Sequence, residues 1–158
     1  MRPSKDQWGL QLALVTSRRA TCCRRQVGCV LVNSRGHVLA TGYNGRAAGL
    51  PHCNEQTNGS AYKNACAGAW AKSGQSLDAC EAIHAEQNAL LQCRDVYDIY
   101  TAYVTASPCI TCVKLLLNTA CERIVFIDEY PHMEAEQLWY RGSRAVPNEW
   151  IHMPGITL

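Results

Sequence analysis

His84, Glu86, Cys109 and Cys112 are the residues whose types and spacing could do chemistry. Cys109 and Cys112 stand three apart, which places two side chains on one helix face, so their sulfurs can share one metal ion. His84, in His84-Ala85-Glu86, can add a third ligand from the start of a neighbouring helix. Cys₂His ligation leaves the fourth tetrahedral position of a zinc ion open for water, the arrangement of a reactive site and not of a closed structural one. If both helices begin at the metal, their amino-terminal partial charges, about +0.5 each, favour thiolates over thiols. Two thiolates formally cancel the zinc charge, so the water is less acidified than with three neutral ligands and a nearby base is useful. Glu86 is that base: two residues from His84 it lies roughly opposite on a helix wheel, flanking the metal without joining the ligand set.

A random chain of this composition would carry Pro-Cys-x-x-Cys about 0.02 times and His-x-Glu about 0.25 times, so their joint presence is informative. His132-Met133-Glu134 repeats the second spelling. It follows the cysteine pair and Pro131, with no apolar strand between it and a cofactor helix, so His84 is preferred. A structural zinc finger would need a second ligand pair at short spacing, and a redox Cys-x-x-Cys has no use for His-x-Glu.

Several elements must bring these residues together. Trp8, Leu10, Leu12, Ala13 and Val15 predict a first helix ending near Ser17. Val27 to Val32 and Val38 to Tyr43 are β-rich, and Asn33-Ser34-Arg35-Gly36 between them supplies turn chemistry, which predicts a hairpin. A Gly-, Asn-, Ser- and Cys-rich insertion over about 45–80 follows, too long for a bare loop in a compact domain. Beyond it, Ile83 to Cys93 predicts a helix, Ala102 to Thr105 a strand, Cys109 to Asn118 a helix and Arg123 to Ile127 a strand. Met133 to Tyr140 predicts a further helix and Trp150 to Met153 a final short strand. The expected fold is an α/β/α three-layer sandwich with a mixed five-stranded sheet, one domain over residues 1–158.

Composition narrows the function classes. With 158 residues, 47% of them hydrophobic, and no apolar run of membrane-spanning length, a soluble globular protein is expected. The start, Met1-Arg2-Pro3-Ser4-Lys5-Asp6, lacks the unbroken apolar stretch of a secretory signal, so a cytoplasmic location without membrane partners is expected. Fifteen basic against 13 acidic residues give a formal charge of +2, too slight for a surface that grips a nucleic-acid polymer. Ten cysteines in such a chain bind metal, do chemistry or pack.

Three motifs together resemble the cytidine and deoxycytidylate deaminase family, on the deoxycytidylate (dCMP) side: Thr41-Gly42-Tyr43-Asn44-Gly45, Ile83-His84-Ala85-Glu86-Gln87-Asn88-Ala89 and Ser107-Pro108-Cys109-Ile110-Thr111-Cys112. The resemblance extends from the first helix to about Tyr130. It implies a cytidine deaminase-like fold, zinc on His84, Cys109 and Cys112, and hydrolytic deamination of dCMP to dUMP and ammonia, with Glu86 carrying protons between water and the base. That step supplies precursor for thymidylate synthesis. The resemblance also implies that Asn44 bonds the deoxyribose, that a main-chain carbonyl near Ser107 receives the cytosine amino group, and that the phosphate meets some of Arg24, Arg46 and Tyr130. It further implies a hexamer activated by dCTP with magnesium and inhibited by dTTP, around Gly42, Tyr43, Gly45 and Gly49. Ala47 stands where the family's turn usually carries proline, which removes a fixed φ.

Cys22, Cys53, Cys66 and Cys80 flank or fall within the insertion, which lacks apolar residues to hold itself. A second, structural zinc on these residues, or with His52 among the four, would staple it; small buried hydrophobes are the other reading. Cys29, Cys93 and Cys121 lie in apolar segments and are expected in the core. Trp8, Trp70, Trp139 and Trp150 are expected in the core or at subunit contacts. The arginines at 18, 19, 24 and 25 read as a solvated helix exit or as a phosphate site. Two competing functions are a deaminase acting on tRNA or single-stranded DNA, and a non-enzymatic zinc-stabilised binding module. The first would want a positive channel and more exposed aromatics than a chain with one phenylalanine offers.

Overall fold

The computed structural model describes residues 1–55, 66–69, 71–72, 75, 79–130 and 132–158. Eleven elements run in chain order: α1 Lys5–Ser17, β1 Gly28–Val32, β2 Val38–Tyr43, β3 Gly45–Arg46, β4 Ala82–Ile83, α2 Ala85–Gln92, β5 Thr101–Ala106, α3 Ile110–Leu117, β6 Arg123–Asp128, α4 Met133–Arg141 and β7 Glu149–His152. Five of the strands form one sheet in the order β2-β1-β5-β6-β7. β1 is antiparallel to β2 and β5, whereas β5, β6 and β7 are parallel. The sheet is mixed, as expected, and the boundaries anticipated from the sequence hold to within about two residues.

Period-two alternation on three adjacent strands divides the core into two layers. Cys29, Leu31, Ala102, Val104, Ile124 and Phe126 point to the face covered by α2, α3 and α4, where Val113, Leu116 and Trp139 meet them. Val30, Val32, Tyr103, Val125 and Ile127 point to the other face, under Leu10 and Ala13 of α1. Burying each large side chain contributes about 1.5–3 kcal/mol. Trp139 is fully enclosed, and its indole N–H donates to the Glu149 carbonyl at 2.9 Å, which joins α4 to β7.

α1 opens with a capping box in which the Gln7 N–H donates to Ser4 Oγ and the Ser4 N–H to Gln7 Oε1. Its buried stripe is Gly9, Leu10, Ala13 and Ser17; of the face read from hydrophobicity Leu10 and Ala13 are buried as expected, whereas Trp8 and Val15 are exposed. The reason is close approach. A Cβ on Gly9 would overlap the Tyr103 ring, and one on Gly28 would overlap the Ala13 carbonyl and the Ser17 backbone, so glycine lets α1 lie directly on the sheet. At the lower edge of this layer Arg123 donates to both carboxylate oxygens of Asp6, at 3.1 and 2.9 Å, and to Glu149 at 2.6 Å, while the Tyr103 hydroxyl donates to Asp6 at 2.7 Å.

β3 and β4 make a separate two-stranded ladder with Gly45 opposite Ile83 and Arg46 opposite Ala82. Two-residue strands carry no detectable period, so the sequence does not announce them. They lay the Asn44 turn beside the start of α2. Most of the 56–78 part of the insertion, Trp70 included, lies outside the described residues. No helix among the described residues is long and apolar enough to cross a membrane.

Candidate active site

The site stands where α2 and α3 begin, on the face of the sheet opposite α1. His84 is the N-cap residue of α2 and Cys109 that of α3, both in extended backbone, so each presents its side chain at a helix start as the spacing implied. Cys112 is buried one turn into α3. The ring Nδ1 of His84 lies 3.5 Å from Cys109 Sγ and 3.4 Å from Cys112 Sγ. These ligand atoms all fall within 4.8 Å of one another, and theirs is the one such group among the described residues. Two thiols and an imidazole at that separation are a donor set that zinc fits. His132 sits at the rim of the cavity, at the start of α4, and takes no part in this group.

Electrostatics at the triad follow from contact. The neighbouring Cys112 thiol, working against burial and assisted by His84, brings Cys109 down to about 3. The same Cys109 contact and burial push Cys112 far up. His84 is raised by its bond with Cys109 despite burial. Glu86 is 4% exposed, and burial pushes its carboxyl up against the opposing effects of its own backbone amide and His84.

What holds His84 and Glu86 in place was only partly visible in the sequence. Gln87 Oε1 accepts from the His84 backbone N–H at 2.9 Å, which fixes the N-cap of α2, and Asn88 Nδ2 donates to the Tyr43 carbonyl at 2.8 Å, which fastens α2 to the Asn44 turn. Their presence in the motif was plain, but nothing assigned them these tasks. Gly42 lies under α2, where a Cβ would overlap the Ala85 carbonyl and the Ala89 backbone. Gly45 is buried against Thr21, Tyr43 is half-buried, and Gly49 is exposed with φ +90°.

A cavity of about 610 Å³ opens over the triad, with His84, Glu86 and Cys109 in its floor and Asn44, Ser107, Tyr130, Arg24 and Arg25 among its walls. Asn44 is buried; its Oδ1 accepts from Val27 N–H at 2.8 Å and its Nδ2 donates to the Arg25 carbonyl at 2.6 Å. That use leaves one amide proton and one lone pair. Ser107 follows β5, its hydroxyl bonded to the Tyr130 backbone. The three candidates for phosphate divide. Arg24 donates to the carbonyls of Gly68, Gln75 and Lys72, tying the insertion over the site. Arg46 is outside the cavity wall, bonded to the Pro51 carbonyl and paired with Glu81. Tyr130 faces the cavity with the Arg25 guanidinium over its ring and His132 beside it.

The remaining cysteines separate by environment. Cys29 and Cys121 are buried in the main core, and Cys93 is partly buried against it. Cys53 and Cys66 are buried together with Ala69, with Cys23 and Cys80 packed against them; Cys22 and Cys80 also reach the cavity wall. The Cys66 N–H lies 3.5 Å from Cys53 Sγ, and the Cys23 thiol donates to the Cys53 carbonyl at 3.1 Å. Burial pushes Cys53 up to about 11. Among the described residues these cysteines do not draw together as closely as His84, Cys109 and Cys112.

An α/β/α sandwich with imidazole and thiol ligands at adjacent helix starts and a buried carboxyl beside them defines the class of zinc-dependent deaminases. The chain belongs to the cytidine and deoxycytidylate deaminase family: the model of that family's zinc-binding region matches residues 3–128. A deoxycytidylate deaminase of Schizosaccharomyces pombe is 35% identical over 131 residues, 82% of this chain and 38% of that protein. One from Mycobacterium phage D29 is 38% identical over 130 residues, 81% of this chain and 98% of its own length. The chain spans about two-fifths of the length of the fungal relatives and nearly all of the phage one. The crystal structure of a cyanophage S-TIM5 dCMP deaminase in complex with dCMP and dUMP superposes with a TM-score of 0.68 at 22% identity, covering 98% of this chain and 99% of that one, which shows the shared fold.

Proposed function

We propose that the chain is a hydrolytic deaminase converting dCMP to dUMP and ammonia, with residues 1–158 forming one catalytic domain that carries the 45–80 insertion. The observation that carries this is the convergence of His84, Cys109 and Cys112 within 4.8 Å at the floor of a cavity that also holds the buried Glu86 carboxyl. Relatives named as deoxycytidylate deaminases, at 35–38% identity, support the substrate class.

His84, Cys109 and Cys112 would hold zinc, which when bound supplies the Lewis acidity that makes water a nucleophile at neutral pH. Glu86 takes the proton that water gives up as its oxygen bonds to C4 of cytosine. The same carboxyl delivers that proton to N3. It then takes the second proton from the new C4 hydroxyl and passes it to the departing amino group, so the C4 to N4 bond breaks, the C4 carbonyl forms and ammonia leaves. The net change adds one water and releases one ammonia. Asn44 holds the deoxyribose with its remaining amide proton and lone pair, and the main chain near Ser107 receives the exocyclic amine. Tyr130 forms the far wall.

An ultraviolet assay with dCMP, cytidine, dCTP and oligonucleotides tests the reading. Turnover confined to dCMP is expected; turnover of oligonucleotides would replace it with polymer editing, and full zinc content without any turnover would leave a zinc-stabilised binding module.

Two finer features belong to the same proposal. Cys22, Cys53, Cys66 and Cys80 hold a second zinc that staples the insertion, supported by the common burial of Cys53 and Cys66 with Cys80 packed on them; two zinc per chain by elemental analysis is the expected count. Activation by dCTP with magnesium and inhibition by dTTP, acting on a hexamer through the Gly42 to Gly49 turn, is supported by the resemblance of Thr41-Gly42-Tyr43-Asn44-Gly45 to the deoxycytidylate deaminase turn. Sedimentation and rate measurements with each triphosphate test it.

A further inference from the structure

We propose that Arg25 is the residue that recognises the substrate's 5′-phosphate and so selects nucleotide over nucleoside; this rests on the deoxycytidylate reading above. Its guanidinium carbon lies 5.4 Å from the centroid of the Tyr130 ring, and both side chains line the cavity that holds His84 and Glu86. Stacking on a ring face fixes the guanidinium plane while leaving its N–H edges outward, which suits bidentate bonding to a phosphate. Among the described residues those edges meet no carbonyl or carboxylate.

The neighbouring arginines are committed. Arg24 is taken up by the carbonyls of Gly68, Gln75 and Lys72, and Arg46 by Pro51 and Glu81. Glu86 is the one carboxylate in the described wall and it is buried in the floor, so the Arg25 charge is not balanced from within the cavity.

Position supports the same assignment. The Arg25 carbonyl accepts from Asn44 Nδ2 at 2.6 Å, so the residue proposed to hold the sugar also fixes the backbone that carries the cation. His84, Glu86, Asn44 and Arg25 line one cavity, and the Asn44 to Arg25 bond puts the residue proposed for the sugar next to the one proposed for the phosphate. From the sequence, Arg24 and not Arg25 is put forward for the phosphate, with Arg25 only in a basic run, because the two differ in what they touch and not in type.

The test compares wild type with Arg25→Gln and Arg25→Lys, using dCMP and deoxycytidine as substrates and calorimetric binding of dUMP and deoxyuridine. The expected result for Arg25→Gln is a rise in KM for dCMP of about 10–100-fold with kcat nearly kept, the size of a lost charge-assisted hydrogen bond. Turnover of deoxycytidine stays unchanged, the binding advantage of dUMP over deoxyuridine disappears, and Arg25→Lys restores part of both. An unchanged KM and an unchanged dUMP advantage in Arg25→Gln would overturn the assignment while leaving the deaminase reading intact. If wild type fails to turn over dCMP the reaction is wrong, and the binding comparison still decides Arg25: loss of the dUMP advantage in Arg25→Gln upholds the phosphate contact, whereas a wild type that binds both ligands alike overturns it.

Discussion

Ser107 and Tyr130 hold each other reciprocally: the Ser107 hydroxyl accepts from the Tyr130 N–H at 2.6 Å and donates to the Tyr130 carbonyl at 3.1 Å. With the Ser107 N–H donating to Asp128 at 2.9 Å, the turn that delivers Cys109 is fastened to the loop beyond β6. Ser107→Ala removes both hydroxyl bonds and orphans the Tyr130 N–H. A loss of about 1–2 kcal/mol follows, which lowers Tm by roughly 2–6 °C in a chain of this size. KM for dCMP should rise as the Tyr130 wall loosens. Calorimetry showing an unchanged Tm would mean the two loops are held by other contacts.

Glu86→Gln keeps the shape of the buried side chain and removes its ability to carry protons. Turnover should fall by at least the ~10²–10⁴-fold typical of general acid–base catalysis. Zinc per chain, measured by elemental analysis, should equal that of wild type. Activity within tenfold of wild type would assign the proton transfers elsewhere.

Cys112→Ser replaces a thiol ligand with a poor one, and its sulfur lies 3.4 Å from His84 Nδ1. The variant should lose the catalytic zinc to dialysis against a chelator that leaves wild type loaded, with activity lost in parallel. X-ray absorption on the active-site zinc of wild type should show two sulfurs and one ring nitrogen. A spectrum with a fourth protein ligand would close the position that hydrolysis requires.

Acid sensitivity should trace partly to Asp6. Burial disfavours its charge, but hydrogen bonds from Arg123 and Tyr103 outweigh that and hold its pKa below the ordinary 3.8. A carboxyl depressed in the folded state contributes stability that is present above its unfolded value and fades as pH falls below about 3.8 toward the folded one. Since the pair is partly solvent-exposed, the contribution at neutral pH is at most about 1 kcal/mol. Asp6→Asn should be slightly less stable than wild type at pH 7 and lose less on acidification. Parallel Tm curves from pH 7 to pH 3 would assign the acid transition to other groups.

Gly42→Ala tests whether the start of α2 is fixed by backbone contact. The new methyl overlaps the Ala85 carbonyl, so α2 must shift, at a cost of about 1–3 kcal/mol. The residues that move are His84 and Glu86. Both Tm and kcat should drop, whereas Gly49→Ala, where nothing among the described residues lies within 4 Å of the added Cβ, should lower stability through its φ of +90° and leave kcat alone.

Much of the fold was legible because its strands alternate or run apolar and its helices are bounded by turn residues. Gly28 to Val32 and Arg123 to Asp128 carry their buried residues in unbroken runs, as a strand covered on both faces must. Leu10 and Ala13 of α1 were read correctly as core, but Trp8 and Val15 were not, because Gly9 contributes contact without hydrophobicity. The triad was legible because ligand chemistry is tied to residue type and short spacing. Arg25, Gln87 and Asn88 were not, since arginine and amide side chains serve surfaces as often as sites and only a partner tells them apart. The β3 and β4 ladder escaped for want of length.

Arg24 and Arg25 are consecutive, yet one guanidinium holds the carbonyls of Gly68, Lys72 and Gln75 and the other faces the chamber. A single peptide linkage thus joins the tie on the insertion to the cation proposed for the incoming anion. A backbone change at this corner bears on both contacts at once.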